Sequence, residues 1–334
     1  VTVASAPRQP IEVPAAAGGS TGEIVPSLPG VADGVLAASF DVCRRVTRAR
    51  ARNFYYGLRL TPEPRRSAIY AIYAWMRAAD DEADAAGPLH ERRRRLAAYR
   101  RRTADALALA AAEHHADWSS FTGAWPAFAA TVRAYPIDPA HFSAMLDGLE
   151  EDLEHAGYPD DAALERYCYR VASTVGLVCI AIWGLRPGAN PADARLLAVR
   201  RGQAFQRTNI LRDYAQDFDA SPRRTYIPAD AFQRHGISPD DLRRWRHPDR
   251  CRALVLEQAA RARDHYEASA PLLRMIDPDC APTLWAMTTI YSDLLAIIER
   301  DPARIVAPRR IRLPASRKAL IALRATVRSR TSGW

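Results

Sequence analysis

Residues Ala68-Ile69-Tyr70-Ala71-Ile72-Tyr73-Ala74-Trp75-Met76 are apolar at nearly every position, and acids follow closely at Asp80, Asp81, Glu82 and Asp84. A helix that is apolar on every side belongs inside a protein, because it has no face to give to water. The chain must therefore build its core around this helix. That core must also admit carboxylates at one end of it, in a cavity or at its rim. Residues four apart on a helix stand one above the other. Asp80 and Asp84 thus share a stripe, and Arg77 and Tyr73 carry it back by one and two turns. Asp81 is turned away by about 100° at 3.6 residues per turn.

The rest of the chain reads the same way. Pro62 and Pro64 open this helix behind Thr61, and Gly87-Pro88 closes it after Ala86. Further helices are expected to Ala112, over 120–134 and 138–156, from Asp161 to Gly184, from Asp193 to Phe218, and near 228–234, 239–246, 248–271, 279–299 and 314–328. No β-alternating run is long, no repeat has a fixed period, and no Gly-rich nucleotide loop occurs. The expected fold class is all-α, a single helical domain over residues 31–330. Residues 1–30, rich in Pro, Ala, Gly and Ser without helical period, are expected to be a disordered leader. They lack the basic start and compact apolar core of an export signal. The most apolar stretch, Val171 to Trp183, suits a buried core helix better than a bilayer span.

The net charge of +9 comes almost wholly from arginine and admits nucleic acid, an anionic membrane surface or a phosphate-bearing substrate as partner. No zinc-finger spacing or RNA-binding aromatic motif accompanies it, so nucleic acid is not expected. The cysteines, Cys43, Cys168, Cys179, Cys251 and Cys280, are odd in number and form no C-x-x-C, which reads as reduced, mostly buried thiols of a cytoplasmic protein. His114 and His115 sit in a polar stretch and read as surface.

A second acidic helix repeats the first. In Gln206-Arg207-Thr208-Asn209-Ile210-Leu211-Arg212-Asp213-Tyr214-Ala215-Gln216-Asp217, Asp213 and Asp217 share a face, with Asn209 and Gln206 on the turns before. Like charges at i, i+4 destabilise a helix, so a structural helix gains nothing from either pair. Magnesium accounts for them: it takes one or two carboxylates together with water and substrate phosphate. Arg77, Arg212 and Arg224 can give bidentate donors to the same diphosphate. Solvated helix ends, or acids paired with arginine, remain the alternative on spacing alone.

These residues carry a resemblance. Asp80 to Asp84 resembles the first aspartate-rich motif of squalene and phytoene synthases, and Gln206 to Asp217 resembles their second. Arg224-Thr225-Tyr226-Ile227-Pro228 is similar to the R-x-Y-[LI]-P that follows it, and Tyr167-Cys168-Tyr169-Arg170-Val171-Ala172-Ser173-Thr174-Val175-Gly176 to the family's Y-C-x-x-V-A-x-x-V-G helix. Asn53-Phe54-Tyr55-Tyr56 resembles the segment at the cavity mouth that binds diphosphate. The resemblance spans residues 36–300 with the motifs in order. It implies an isoprenoid synthase fold around a central cavity, and head-to-head joining of two prenyl diphosphates through a cyclopropyl diphosphate. It implies Mg²⁺, with Mn²⁺ as a substitute, on Asp80, Asp84, Asp213 and Asp217 with Asn209 assisting. It places Tyr73 and Tyr167 at the reacting zone, and Arg77, Gln206, Arg212, Arg224, Tyr226, Phe54 and Tyr55 on diphosphate. No fingerprint for a nicotinamide reductant such as NADPH is present. A monomer or homodimer is expected, with peripheral membrane contact as one option for a basic protein with a lipid product.

Three departures from the family pattern stand out: Arg223 before Arg224, where the family usually has Gly, so that the loop is expected to differ; Trp75-Met76, read as packing; and Arg207, read as a surface arginine. A class I terpene cyclase, a chain-elongating prenyl transferase and a non-catalytic helical module are the competing readings. The second motif, D-Y-A-Q-D behind Asn209, disfavours the elongating enzymes, which carry D-D-x-x-D in both places.

Overall fold

Trp75 is the centre of the first half of the molecule. Its ring stacks on Phe128 at 5.4 Å and meets Phe142 edge-on at 5.0 Å, while its Nε1 donates to Thr103 Oγ1 at 3.1 Å. The apolar run before the acids is thus buried on all sides, as its sequence requires, and the helices that enclose it follow from that. The computed structural model describes residues 26–112, 117–155 and 157–331, apart from the side chains of 52–54 and 329–331. Most of the expected leader, with His114 and His115, lies outside the described residues.

The elements in order are α1 (Asp33–Arg50), α2 (Arg52–Leu58), α3 (Arg65–Ala83), α4 (Leu89–Ala111), α5 (Trp125–Ala134) and α6 (Ala140–Leu153). Next come α7 (Asp161–Cys168), a π-helical turn (Tyr169–Ser173), α8 (Thr174–Trp183), α9 (Pro191–Asp219), α10 (Ala229–His235) and α11 (Pro239–Arg244). The chain continues with α12 (Pro248–Ala268), α13 (Leu272–Met275), α14 (Ala281–Arg300), a 3₁₀ turn (Pro302–Val306) and α15 (Ala315–Thr331). Among the described residues there is no strand, and the fold is that of the isoprenoid synthases.

Local chemistry fixes several helix starts. Asp160 accepts from the Ala163 amide at 2.8 Å to open α7, and Asn190 accepts from Ala192 at 2.9 Å behind Pro191 to open α9. Ser238 and Asp241 form a reciprocal capping box on α11. The expected helix to Ala86 stops earlier, at Ala83, with Asp84 as its C-cap.

A first core gathers α1, α3, α4, α5, α6 and α8, and a second gathers α7 and α9 to α12 with α14. The long α9 joins them, and Phe205 on it touches both. Helix α9 comes unusually close to the π-helical turn at Gly202, where a Cβ would lie 2.5 Å from Ser173 Cα. Only glycine admits this approach. Turns of this type interrupt helices mostly where a site needs them. Helix α14 is long and apolar enough to cross a membrane by length and composition, which the sequence reading did not pick out, but 61% of its apolar window is buried in the bundle.

Candidate active site

Between the two cores lies a cavity of about 1690 Å³. Its wall takes Tyr73, Met76, Arg77 and Asp80 from α3, and Arg201, Phe205, Gln206, Asn209 and Arg212 from α9. Both series step by three or four residues, so each helix turns one stripe toward the space. Tyr55 on α2 and Tyr291 on α14 complete an aromatic lining, with Phe205 and Tyr291 4.8 Å apart. Met76, read from sequence as packing, is part of this wall. Val175, Cys179, Ile180 and Trp183 make the opposite side apolar. Phe54 falls outside the residues whose side chains are described.

The acids continue past the wall at one end. Asp84, at the tip of α3, meets Arg224 at 3.8 Å. The backbone N–H of Arg224 donates to the Asp217 carbonyl at 2.9 Å, which folds the loop back over the end of α9. The two acidic motifs are thereby brought to the same end of the molecule with Arg224 between them. Arg77 pairs with Asp81 and lies 3.7 Å from Asp80, and Arg50 meets Asp81 at 3.2 Å. Arg212 holds Asp213 with two bonds, at 2.8 and 2.6 Å, and Arg310 grips the same carboxylate with two more.

These surroundings divide the acids. Burial drives the Asp80 carboxyl up to about 7, Arg77 opposes it, and Asp84, Asp81 and Asp152 add to the rise. The side chain is open over 42% of its surface and lines the cavity, so solvent in the cavity moderates this rise. Asp217 is likewise pushed up to about 7 by burial and by Asp213. Asp213 goes the other way: burial would raise it, but Arg212 and Arg310 outweigh burial and hold it below the usual carboxylate range.

Asp152 on α6 is the residue the sequence reading missed. It accepts from Tyr167 at 2.7 Å and from Tyr226 at 2.9 Å, and its charge is felt by both Asp80 and Asp217. Its only signal in the sequence is an acid in Glu150-Glu151-Asp152, on a segment that also reads as a solvated face. Tyr167 does not reach the cavity wall. It is buried against Tyr226, ring to ring at 5.3 Å, and its hydroxyl belongs to Asp152. It stands behind the acids, on α7 within the second core. Arg207 is a correction. It is 3% exposed rather than on the surface, and clamps Asp161 at 2.8 and 2.9 Å, because a buried guanidinium on α9 needs an anion and α7 supplies one.

The donor set suits magnesium in part. Asn209 Oδ1 is buried with no hydrogen-bond partner while Asn209 lines the cavity, and Asp80 and Asp217 are short of positive charge. Among the described residues no three His, Cys, Asp or Glu side chains converge tightly enough to hold a cation alone. A hard ion that takes one or two carboxylates and completes its shell with water and phosphate needs no such group. Asp213 fits less well, since its oxygens already accept from two arginines.

Comparison with known proteins gives the family of the chain. Residues 47–317 match the squalene/phytoene synthase family. The chain is 35% identical over 298 residues to a phytoene synthase of Mycobacterium tuberculosis, covering 88% of this chain and 93% of that protein. It is 32% identical over 287 residues to a 15-cis-phytoene synthase of Synechococcus elongatus, covering 84% and 90%. Among solved structures, a dehydrosqualene synthase superposes with a TM-score of 0.74 at 24% identity, over 89% of this chain and 98% of that one.

Proposed function

The chain belongs to the squalene/phytoene synthase family of prenyl transferases, and from there we propose that it joins two prenyl diphosphates of the fifteen- or twenty-carbon class head to head through a cyclopropyl diphosphate. The observation that carries this reading is one cavity that takes cations and Asp80 from α3, α9 and the segment after α14 together with aromatic and apolar side chains from α2, α8, α9 and α14. Its size suits two chains side by side. Arg77, Arg212 and Arg310 offer guanidinium donors to the diphosphates, and bidentate geometry orients the leaving group. When bound at Asp80, Asp217 and Asn209, Mg²⁺ supplies charge neutralisation to the departing diphosphate.

The C–O bond of the first substrate breaks with its electron pair leaving on diphosphate, and an allylic cation remains. The C2=C3 π pair of the second substrate attacks that carbon, and loss of a proton closes the cyclopropane. Tyr73, Tyr291 and Phe205 line the cavity, and aromatic rings stabilise such a cation without trapping it. The apolar wall of Val175, Ile180 and Trp183 keeps water from it. A second ionisation then breaks the remaining C–O bond, diphosphate leaves with the electron pair, and the rearranged cation loses a proton to give a linear polyene. The names of the curated relatives favour phytoene; the fifteen-carbon route gives presqualene diphosphate, or squalene where a hydride donor such as NADPH quenches the final cation.

Incubation of the purified protein with magnesium and either farnesyl or geranylgeranyl diphosphate, read by mass spectrometry, tests the reading. A thirty- or forty-carbon product, or its cyclopropyl diphosphate, is expected. A folded protein that makes neither would overturn head-to-head joining.

A further inference from the structure

The proposed reaction leaves one cation in the cavity wall unused. Arg201 is 6% exposed, and the groups it meets are neutral. Its Nη1 donates to Thr288 Oγ1 at 2.8 Å and its Nη2 to the Tyr266 carbonyl at 3.5 Å, while the guanidinium lies 5.5 Å from the centre of the Tyr266 ring. Its Nε–H has no acceptor. Burial pushes its pKa down to about 10, so it is still charged at neutral pH. Buried charges are paired as a rule. A guanidinium that has already given up its water in folding is set to take a carboxylate through two parallel bonds.

The helices around Arg201 show what lies beyond it. The Ser173 hydroxyl donates to the Val199 carbonyl at 2.9 Å, and a Cβ on Gly176 would lie 3.0 Å from the Ala198 carbonyl oxygen. Rising numbers on α8 thus meet falling numbers on α9, and Arg201 is level with Thr174. On α14, the Tyr291 ring lies 6.0 Å from the Arg212 guanidinium and Thr288 meets Arg201, so Leu284 is one turn deeper. Leu185 pairs with Ile276, which brings α13 and its Leu272 to the far end of α8. Past Arg201, away from Asp213 and Asp217, the wall is therefore Val175, Cys179, Ile180, Trp183, Leu272 and Leu284, with no charge among them. Trp183, Leu272 and Leu284 are almost fully buried and close that end. From Thr174 to Trp183 is about 14 Å at 1.5 Å per residue. An extended alkyl chain advances about 1.25 Å per carbon, from C–C bonds of about 1.5 Å, so about eleven carbons fill the space.

We propose that Arg201 and this blind compartment bind a straight-chain carboxylic acid of about twelve carbons, its carboxylate on the guanidinium and its chain running toward Trp183. The site stands on the unpaired cation and the apolar room behind it. Only its consequence, competition with a prenyl tail for the same room, rests on the proposed reaction.

Isothermal titration of the full chain with dodecanoate, kept below its micelle concentration, tests the site. Saturation of one site is expected. Dodecan-1-ol, which matches the chain without the charge, should bind at least about tenfold more weakly, the loss of a charge-assisted pair. Octanoate should also bind at least about tenfold more weakly, because it leaves four methylenes' worth of the compartment unfilled. Arg201→Gln, with its fold checked by melting temperature, should bind acid and alcohol alike. The proposal is overturned if dodecanoate does not bind, or if acid and alcohol bind the unaltered protein equally. It is also overturned by a preference for the acid that survives Arg201→Gln, which would give the carboxylate to the arginines beside the aspartates. The titration contains no prenyl diphosphate, so its failure is distinguishable from failure of the reaction.

Discussion

Arg310 reaches across 97 residues of sequence to lay its guanidinium on the carboxylate of Asp213, where Arg212 is already bound. The segment after α14 thus ends inside the second acidic motif and in the cavity wall. A guanidinium there can pass from Asp213 to an arriving diphosphate. Each charge-assisted bond is worth about 1.5–3 kcal/mol. Arg310→Gln is therefore expected to lower kcat/KM by roughly 10- to 100-fold, with little change in melting temperature because Arg212 still holds Asp213. Steady-state kinetics check this, and an unchanged kcat/KM would reduce Arg310 to a neutraliser of Asp213.

Asp152 receives two tyrosine hydroxyls in a half-buried pocket, and no other acid does so among the described hydrogen bonds. An asparagine can accept from one of them and leaves the other poorly paired. Asp152→Asn is expected to cost about 1–3 kcal/mol, the penalty for an unsatisfied buried group. Paired with Tyr167→Phe in a double-mutant cycle, it should show a coupling of about 1 kcal/mol. Urea denaturation measures both, and strict additivity would mean that the Tyr167 bond holds nothing in place.

The metal-free protein should lose stability as pH rises. Asp80 and Asp217 bind protons up to about 7 in the folded state, chiefly through burial, while an unfolded carboxyl releases them near 3.9. Between those values the native state holds more protons, so unfolding becomes easier with rising pH and levels off above about 7. Asp213, held low, contributes in the opposite sense only in more acid solution. Melting temperatures across the window should therefore fall, and Asp80→Asn with Asp217→Asn should reduce the slope, leaving the part carried by Asp152, which burial also raises. A wild-type curve that rises through the same window would contradict this.

How much of this was legible in the sequence depends on which physical signal each residue leaves. The helices were, because apolar period and proline or glycine punctuation are local, and so was the sharing of a helix face by Arg77 with Asp80 and by Gln206 with Asn209, which the cavity then uses. Asp152 was not: what singles it out is two tyrosines on other elements, 15 and 74 residues away. Arg207 misled for a related reason, since arginine is usually exposed and nothing local reveals Asp161 waiting for it. The stop of α3 at Ala83 is a tertiary effect: Arg92 on α4 donates to the Ala83 carbonyl at 2.7 Å, in place of the next helical amide.

Arg201 carries the last prediction. It is 6% exposed, lines the cavity, and has neutral partners: Thr288 Oγ1 at 2.8 Å, the Tyr266 carbonyl at 3.5 Å and the Tyr266 ring at 5.5 Å. Its Nε has no partner at all, and burial holds its pKa down to about 10. A buried cation without an anion costs stability, and here it interrupts an otherwise apolar stretch. Eight residues separate it from Asn209, or about 12 Å at 1.5 Å per residue. An extended five-carbon unit takes roughly 5 Å, from C–C bonds of about 1.5 Å. A fifteen-carbon chain anchored at the acidic end would finish near the guanidinium, while a twenty-carbon chain must run past it and strip its water. Arg201→Leu should thus raise kcat/KM for the twenty-carbon substrate relative to the fifteen-carbon one, by about fivefold or more if one desolvated polar group costs about 1–3 kcal/mol. Its melting temperature should hold or rise. Competition between the two diphosphates, with products separated by mass, measures the ratio; a ratio that does not move would show that the tails run along another wall of the cavity.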